Sequence, residues 1–224
     1  MPVTAILVAA GSSRRMGFDK LAAPLGGIPV LARTIAAFME CEEISEIILV
    51  TPAERMDLLD ETTFTKPIIR IDGGAERHLS VAAGLAAVSE NTEFIAIHDA
   101  ARPLVSKADI LATIAAAREC GAASLARRVT ETLKRSDESG FTTGAVSREN
   151  LWFIETPQIF KAGLIRSAYR HVLENDLPVT DETSALESIG VKTRLIASTA
   201  PNPKITTPAD LETWNASAKS HLLA

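Results

Sequence analysis

The first cluster of residues suited to chemistry is a run of small side chains followed by cations. Ala9, Ala10, Gly11, Ser12, Ser13, Arg14, Arg15, Met16 and Gly17 are consecutive, and Lys20 follows shortly after. Small residues let backbone N–H groups approach a phosphate, while arginine and lysine supply charge. No Gly-Lys-Ser/Thr closes the run, so it is not a P-loop. Ser and Arg or Met stand where a dinucleotide fingerprint would have its second and third glycines. A turn carrying two solvated arginines is the plainer alternative. The paired arginines and the following lysine at a strand end favour phosphate chemistry.

Three further clusters lie downstream. Residues 72–80 read Asp-Gly-Gly-Ala-Glu-Arg-His-Leu-Ser, in which Gly73 and Gly74 permit positive φ or close approach of a flat base, and Ser80 offers a hydroxyl. A capped strand-to-helix turn explains the same glycines equally well. His98, Asp99, Ala100, Ala101, Arg102 and Pro103 form the next cluster. A carboxylate at a strand end can hold Mg²⁺ or a ribose hydroxyl, and the alternative is an Asp99–Arg102 pair locking a loop. His98 lacks a His or Cys partner and reads as structural. The last set holds Thr132, Lys134, Arg148, the run Thr156-Pro157-Gln158, and Lys204, each of which alone would be a solvated charge or turn residue. Thr180 or Asp181 reads as the cap of a helix.

These clusters need elements to position them. Residues 3–10, 44–50, 68–71 and 94–97 are almost continuously apolar and β-branched, as strands covered on both faces should be. Leu31, Ile35 and Phe38 recur at helical spacing, as do Leu79, Ala82, Ala83 and Ala86. Ser106 and Asp109 look like a helix cap. Strand and helix alternate, so the fold class is α/β, a mainly parallel, Rossmann-like sheet flanked by helices. Helical spacing returns at 162–173 and 183–189, with a strand at 192–196 and a last helix from Pro208. Ahead of these, residues 128–147 alternate polar and apolar without a helical face and turn at 136–140, which predicts a projecting β-arm over 128–150. An isolated hairpin is marginal in water, so the arm is expected to pack on a second subunit. No linker divides the 224 residues, and one domain is expected over 1–224.

The formal net charge of −5 gives no reason to expect nucleic acid or an anionic membrane as partner, so a polyanionic substrate must be met by local cations. Cys41 and Cys120 lack metal-ligand spacing and suit a reduced, cytoplasmic setting. The apolar start is short and has no basic leader, so it reads as a strand and not a signal peptide.

In order and spacing, AAGSSRRM (9–16), DGGAERHLSV (72–81), HDAARP (98–103), TPQIF (156–160), TDETSALE (180–187) and NPKITTPADL (202–211) resemble the 2-C-methyl-D-erythritol 4-phosphate cytidylyltransferase family. The resemblance runs from the first strand to the last helix. It implies a nucleotidyltransferase fold, CTP and Mg²⁺, a small sugar-alcohol phosphate as acceptor, and a homodimer joined through the arms. By position, Arg15 and Lys20 match residues that stabilise the reacting phosphates. Arg148 and Lys204 match residues that position the acceptor, and Thr132 and Thr156 match further contacts there. Ala10 and Gly11 match the nucleotide loop. Gly74, Ser80 and the Ala100 backbone match the cytidine pocket, and Asp99 matches the acidic residue beside ribose and metal. Thr132 and Arg148 would reach the neighbouring subunit's site. The chain departs from the family at Ala75, where an acidic residue is frequent, at Ser13, and at Asp19 and Leu21 around the retained Lys20.

The reaction so implied is attack of an acceptor phosphate oxygen on the α-phosphorus of CTP, with release of pyrophosphate. The nucleophile is already an anion, so neither a general base nor a covalent intermediate is needed. The rivals are the same transfer to ribitol 5-phosphate, a non-catalytic nucleotide-binding module, and a nicotinamide-dependent oxidoreductase. The missing dinucleotide fingerprint weighs against the last.

Overall fold

The computed structural model describes residues 2–11, 16–59 and 64–221, with side chains to 216. The chain enters on β1 (Val3–Val8), makes the short ribbon β2 (Pro24–Leu25) and β3 (Ile28–Pro29), and runs into α1 (Val30–Met39). It continues through β4 (Ile44–Val50), a 3₁₀ helix (Ala53–Leu59), β5 (Ile68–Ile71), α2 (Arg77–Ala87), β6 (Phe94–Asp99) and α3 (Lys107–Cys120). Then come β7 (Ala122–Arg128), β8 (Leu133–Ser136), β9 (Thr142–Val146), β10 (Trp152–Lys161) and α4 (Ala162–Glu174). The last elements are α5 (Glu182–Glu187), β11 (Arg194–Ala197) and α6 (Pro208–His221). Among the described residues, no helix is long and apolar enough to cross a membrane.

Seven strands form one sheet in the order β11-β7-β10-β6-β1-β4-β5. β1 lies between β4 and β6, parallel to both. Its alternation divides the core. Val3, Ala5 and Leu7 face α1 and α3, whereas Ile6 faces α2, α4 and α5. Both faces are therefore covered, which is why the strand reads as an unbroken apolar run. Ser106 caps α3 by accepting from the Asp109 N–H at 3.0 Å. Asp181 caps α5 in a reciprocal box with Ser184.

Two central strands were not legible in the sequence. β7 is alanine-rich and lacks a β-branched side chain, so residues 122–128 read on from the α3 pattern. β10 contains Pro157, which argues against a central strand because it cannot donate to a ladder. The fold accommodates it at a register shift between Ile154 and Gln158, with a cis Thr156–Pro157 peptide. β10 is antiparallel to both neighbours, the exception in an otherwise parallel sheet.

A hairpin lies inside the predicted arm, 128–150. Arg128 still belongs to β7, opposite Trp152, and the hairpin proper is β8 paired with β9 in its own two-stranded sheet. At its base, Arg127 stacks over Phe153 and Arg128 over Trp152, at 4.4 and 4.3 Å from the ring centres. At its tip, Asp137 accepts from the N–H groups of Ser139 and Phe141, closing the turn.

Candidate active site

A cleft of about 500 Å³ opens where β1 and β6 end. Ligands of open α/β sheets bind at such carboxyl ends. Ala10 and Gly11 line it from the turn after β1, Gly74 and Ser80 from the turn into α2, and Asp99 from the end of β6. Lys20 and Lys204 complete it. The Lys20 ammonium donates to the Ile205 carbonyl at 2.8 Å, so the loop that carries Lys204 also anchors Lys20.

The glycines of the second cluster serve close packing. A Cβ on Gly73 would stand 2.2 Å from the Ala10 Cβ, and one on Gly74 would stand 2.4 Å from the Leu79 Cβ. Neither has positive φ, so proximity, not a left-handed backbone, demands glycine there. Ser80 is buried. Its hydroxyl accepts from the Gly74 N–H at 3.1 Å and lies 3.1 Å from the Glu76 carbonyl, holding the turn against α2.

Asp99 is the electrostatic centre. Oδ1 accepts from Arg77 Nε at 3.0 Å, and Oδ2 pairs with Lys204 Nζ at 2.7 Å. Burial alone would raise its pKa, but Arg77 and Lys204 outweigh it and hold the carboxyl well below the usual range. The Asp99 N–H donates to Thr156 Oγ1 at 3.1 Å. His98 Nδ1 lies 3.0 Å from the same hydroxyl, and Nε2 lies 3.1 Å from the Arg102 carbonyl. A carbonyl can only accept, so Nε2 carries the proton and Thr156 donates to Nδ1. Burial pushes the His98 pKa down to about 4. The imidazole is thus a neutral structural strut, as its lack of partners in the sequence suggests.

The family model for 2-C-methyl-D-erythritol 4-phosphate cytidylyltransferase (IspD) matches residues 3–219. The chain belongs to this family. It is therefore a nucleotidyltransferase. The enzyme of that name from Caldanaerobacter subterraneus subsp. tengcongensis is 41% identical over 218 residues, covering 94% of this chain and 96% of its own. The crystal structure of 4-diphosphocytidyl-2C-methyl-D-erythritol synthase from Anaerococcus prevotii superposes with a TM-score of 0.86 at 30% identity, over 97% of this chain and 98% of that one. The 2-C-methyl-D-erythritol 4-phosphate cytidylyltransferase of Thermus thermophilus superposes with a TM-score of 0.81 at 30% identity, over 98% and 100% of the two chains.

Within this family member, Ala10, Gly11, Lys20, Gly74, Ser80, Asp99 and Lys204 share one cleft. Thr156 lines an adjoining recess together with Arg77, Asp99 and Lys204. Arg15 lies outside the described residues. Ala100 is fully buried, its N–H donating to the Val8 carbonyl at 3.1 Å and its carbonyl accepting from Thr34 Oγ1 at 2.7 Å; Ala101 lines the cleft instead. Thr132 and Arg148 are exposed on the arm and do not line this cleft, Arg148 donating to the Thr130 carbonyl beside it. Arg102 is hydrogen-bonded not to Asp99 but to the Asn202 carbonyl, at 2.6 Å, while Arg77 and Lys204 are the partners of the Asp99 oxygens.

Two arginines escaped the sequence reading. Arg55, on the 3₁₀ helix, donates to the carbonyls of Ala9 and Gly11 and pairs with Asp19 at 2.7 Å, bracing both ends of the loop before Lys20. Nothing local marks it. Arg77 lies inside the 72–81 run that carries the resemblance, so a charge at the head of α2, pointing back toward β6, was the available signal. For a metal, the donor set is sparse: the described residues hold no group of three or more His, Cys, Asp or Glu side chains fit to bind one. One carboxylate suits Mg²⁺, which keeps several waters and takes most other ligands from substrate phosphates.

Proposed function

We propose that this chain transfers CMP from CTP to 2-C-methyl-D-erythritol 4-phosphate, releasing pyrophosphate, as a step towards isoprenoid precursors. The observation that carries the reading is the convergence of Lys20, Lys204 and Asp99 with the small-residue turns in one cleft. Lys20, with Arg15, stabilises the charge that develops on the α-phosphate, where fixed donors act most strongly. Lys204 positions the acceptor phosphate. Its ammonium has three donors, so it can keep Asp99 and still meet a phosphate oxygen. Ala10, Gly11, Gly74 and Ser80 shape the nucleotide pocket. Asp99 would hold Mg²⁺, which neutralises the triphosphate and favours loss of pyrophosphate when bound. His98 takes no part as a base, because the attacking oxygen is already anionic.

Thr132 and Arg148 act across a homodimer, each arm completing its neighbour's acceptor site. The Thr156 hydroxyl holds Asp99 by accepting from the Asp99 backbone N–H. The chain works as one domain in the cytoplasm. The deciding experiment measures pyrophosphate release from CTP and Mg²⁺ alone, with 2-C-methyl-D-erythritol 4-phosphate, and with ribitol 5-phosphate. Release that depends on the first acceptor is expected. Preference for ribitol 5-phosphate, or CTP binding with no release under any condition, overturns the proposal.

A further inference from the structure

Glu182 is a fully buried carboxylate that the transfer chemistry above does not use. It is the first residue of α5, where the helix end favours a negative charge. Its two oxygens grip the fork of Arg77, Oε1 to Nη1 at 2.6 Å and Oε2 to Nη2 at 3.0 Å. Tyr169, on α4, donates its hydroxyl to Oε1 at 3.0 Å. The remaining Arg77 nitrogen, Nε, holds Asp99, and Asp99 holds Lys204. Negative and positive groups thus alternate from Glu182 through Arg77 and Asp99 to Lys204, linking α5, α2, β6 and the 202–206 loop. Arg77 itself lines the cleft, and the carboxylate behind it fixes which way its guanidinium points.

We propose that Glu182 is a positioning residue for the transfer: by clamping Arg77 from behind, it sets Asp99 and, through Asp99, the place of the Lys204 ammonium. The inference rests on the function proposed above. An Arg77 without this clamp has one carboxylate left and can turn into the cleft, pulling Asp99 with it and releasing Lys204. A displacement of about 1 Å at such a group lowers turnover by about a hundredfold.

The test is a double-mutant cycle on kcat/KM for the acceptor, using Glu182→Gln, Lys204→Met and the double variant, each normalised to its folded fraction by near-ultraviolet circular dichroism. Glu182→Gln alone should lose about a hundredfold. In the Lys204→Met background it should lose much less, because the group it positions is already gone. Arg77→Lys, which keeps the charge but cannot span both carboxylates, is measured in the same cycle so that a poorly folding Gln variant does not leave the question open. Losses that multiply in full across both backgrounds, or an unimpaired Glu182→Gln, overturn the positioning role alone. A parent chain that releases no pyrophosphate with any acceptor overturns the function first and this reading with it.

Discussion

Acidification should loosen this fold in a window set by His98. The ring is fully buried, held between the Thr156 hydroxyl and the Arg102 carbonyl, and packed on Phe38 with ring centres 4.8 Å apart. Its folded pKa is about 4, against an ordinary value of 6.5. The unfolded chain therefore binds a proton that the folded chain refuses, and stability falls as pH drops below the unfolded value until it levels off below the folded one. Each pH unit inside that interval costs about 1.4 kcal/mol, so going from pH 7 to 4.5 removes about 2 kcal/mol. Asp99 and Asp181, whose pKa values are lowered, contribute stability that is lost only further down, as pH falls below the ordinary carboxylate range. Glu155 acts in the opposite sense, because burial raises its pKa. The measurement is thus a comparison with His98→Gln, whose amide can still donate and accept but does not titrate. Urea midpoints at pH 7, 6, 5 and 4.5, at one fixed protein concentration, should fall by about 1 M more for the parent than for the variant. A variant that loses as much as the parent would refute the argument, as would a parent with a flat profile.

Lys20→Ala should lower kcat by about a hundred- to a thousandfold while leaving CTP affinity nearly intact, since the ammonium acts on charge that develops during transfer; equal losses in both would make it a ground-state ligand only. Lys20→Ala and Arg148→Ala protomers, each impaired alone, should regain activity when mixed into a heterodimer, because one of its two sites is whole if the arm works in trans. A heterodimer verified by mass that stays inactive removes the shared site.

Strands buried on both faces announced themselves in the sequence, because β1, β4 and β6 are rich in aliphatic side chains. β7 and β10 did not, for local reasons: alanines pack in the middle of a sheet as readily as in a helix, and Pro157 is accommodated by a register shift that only the tertiary structure reveals. The site divides similarly. Lys20, Asp99 and Lys204 lie in compact motifs whose order along the chain gave them away. Arg55 reaches the Gly11 carbonyl across 44 residues, and Arg77 reaches Glu182 across 105, separations at which one sequence carries no pairing signal. The Asp99–Arg102 pairing weighed from sequence proximity lost to partners brought in by the fold.

The pairing of Arg128 with Trp152 has a consequence for the chain's modularity. β7 and β10 are antiparallel neighbours, so the residues flanking the arm sit across one rung of the sheet, about 5 Å apart. Val129 is still buried and its N–H donates to the Leu151 carbonyl at 3.0 Å, so the appendage spliced into the bend of this longer hairpin is the excursion from 130 to 150. A two-residue Asn-Gly bend could close that gap, so the arm's length can be edited without altering the sheet beneath it. Lengthening or shedding the hairpin at this point requires only a change of loop.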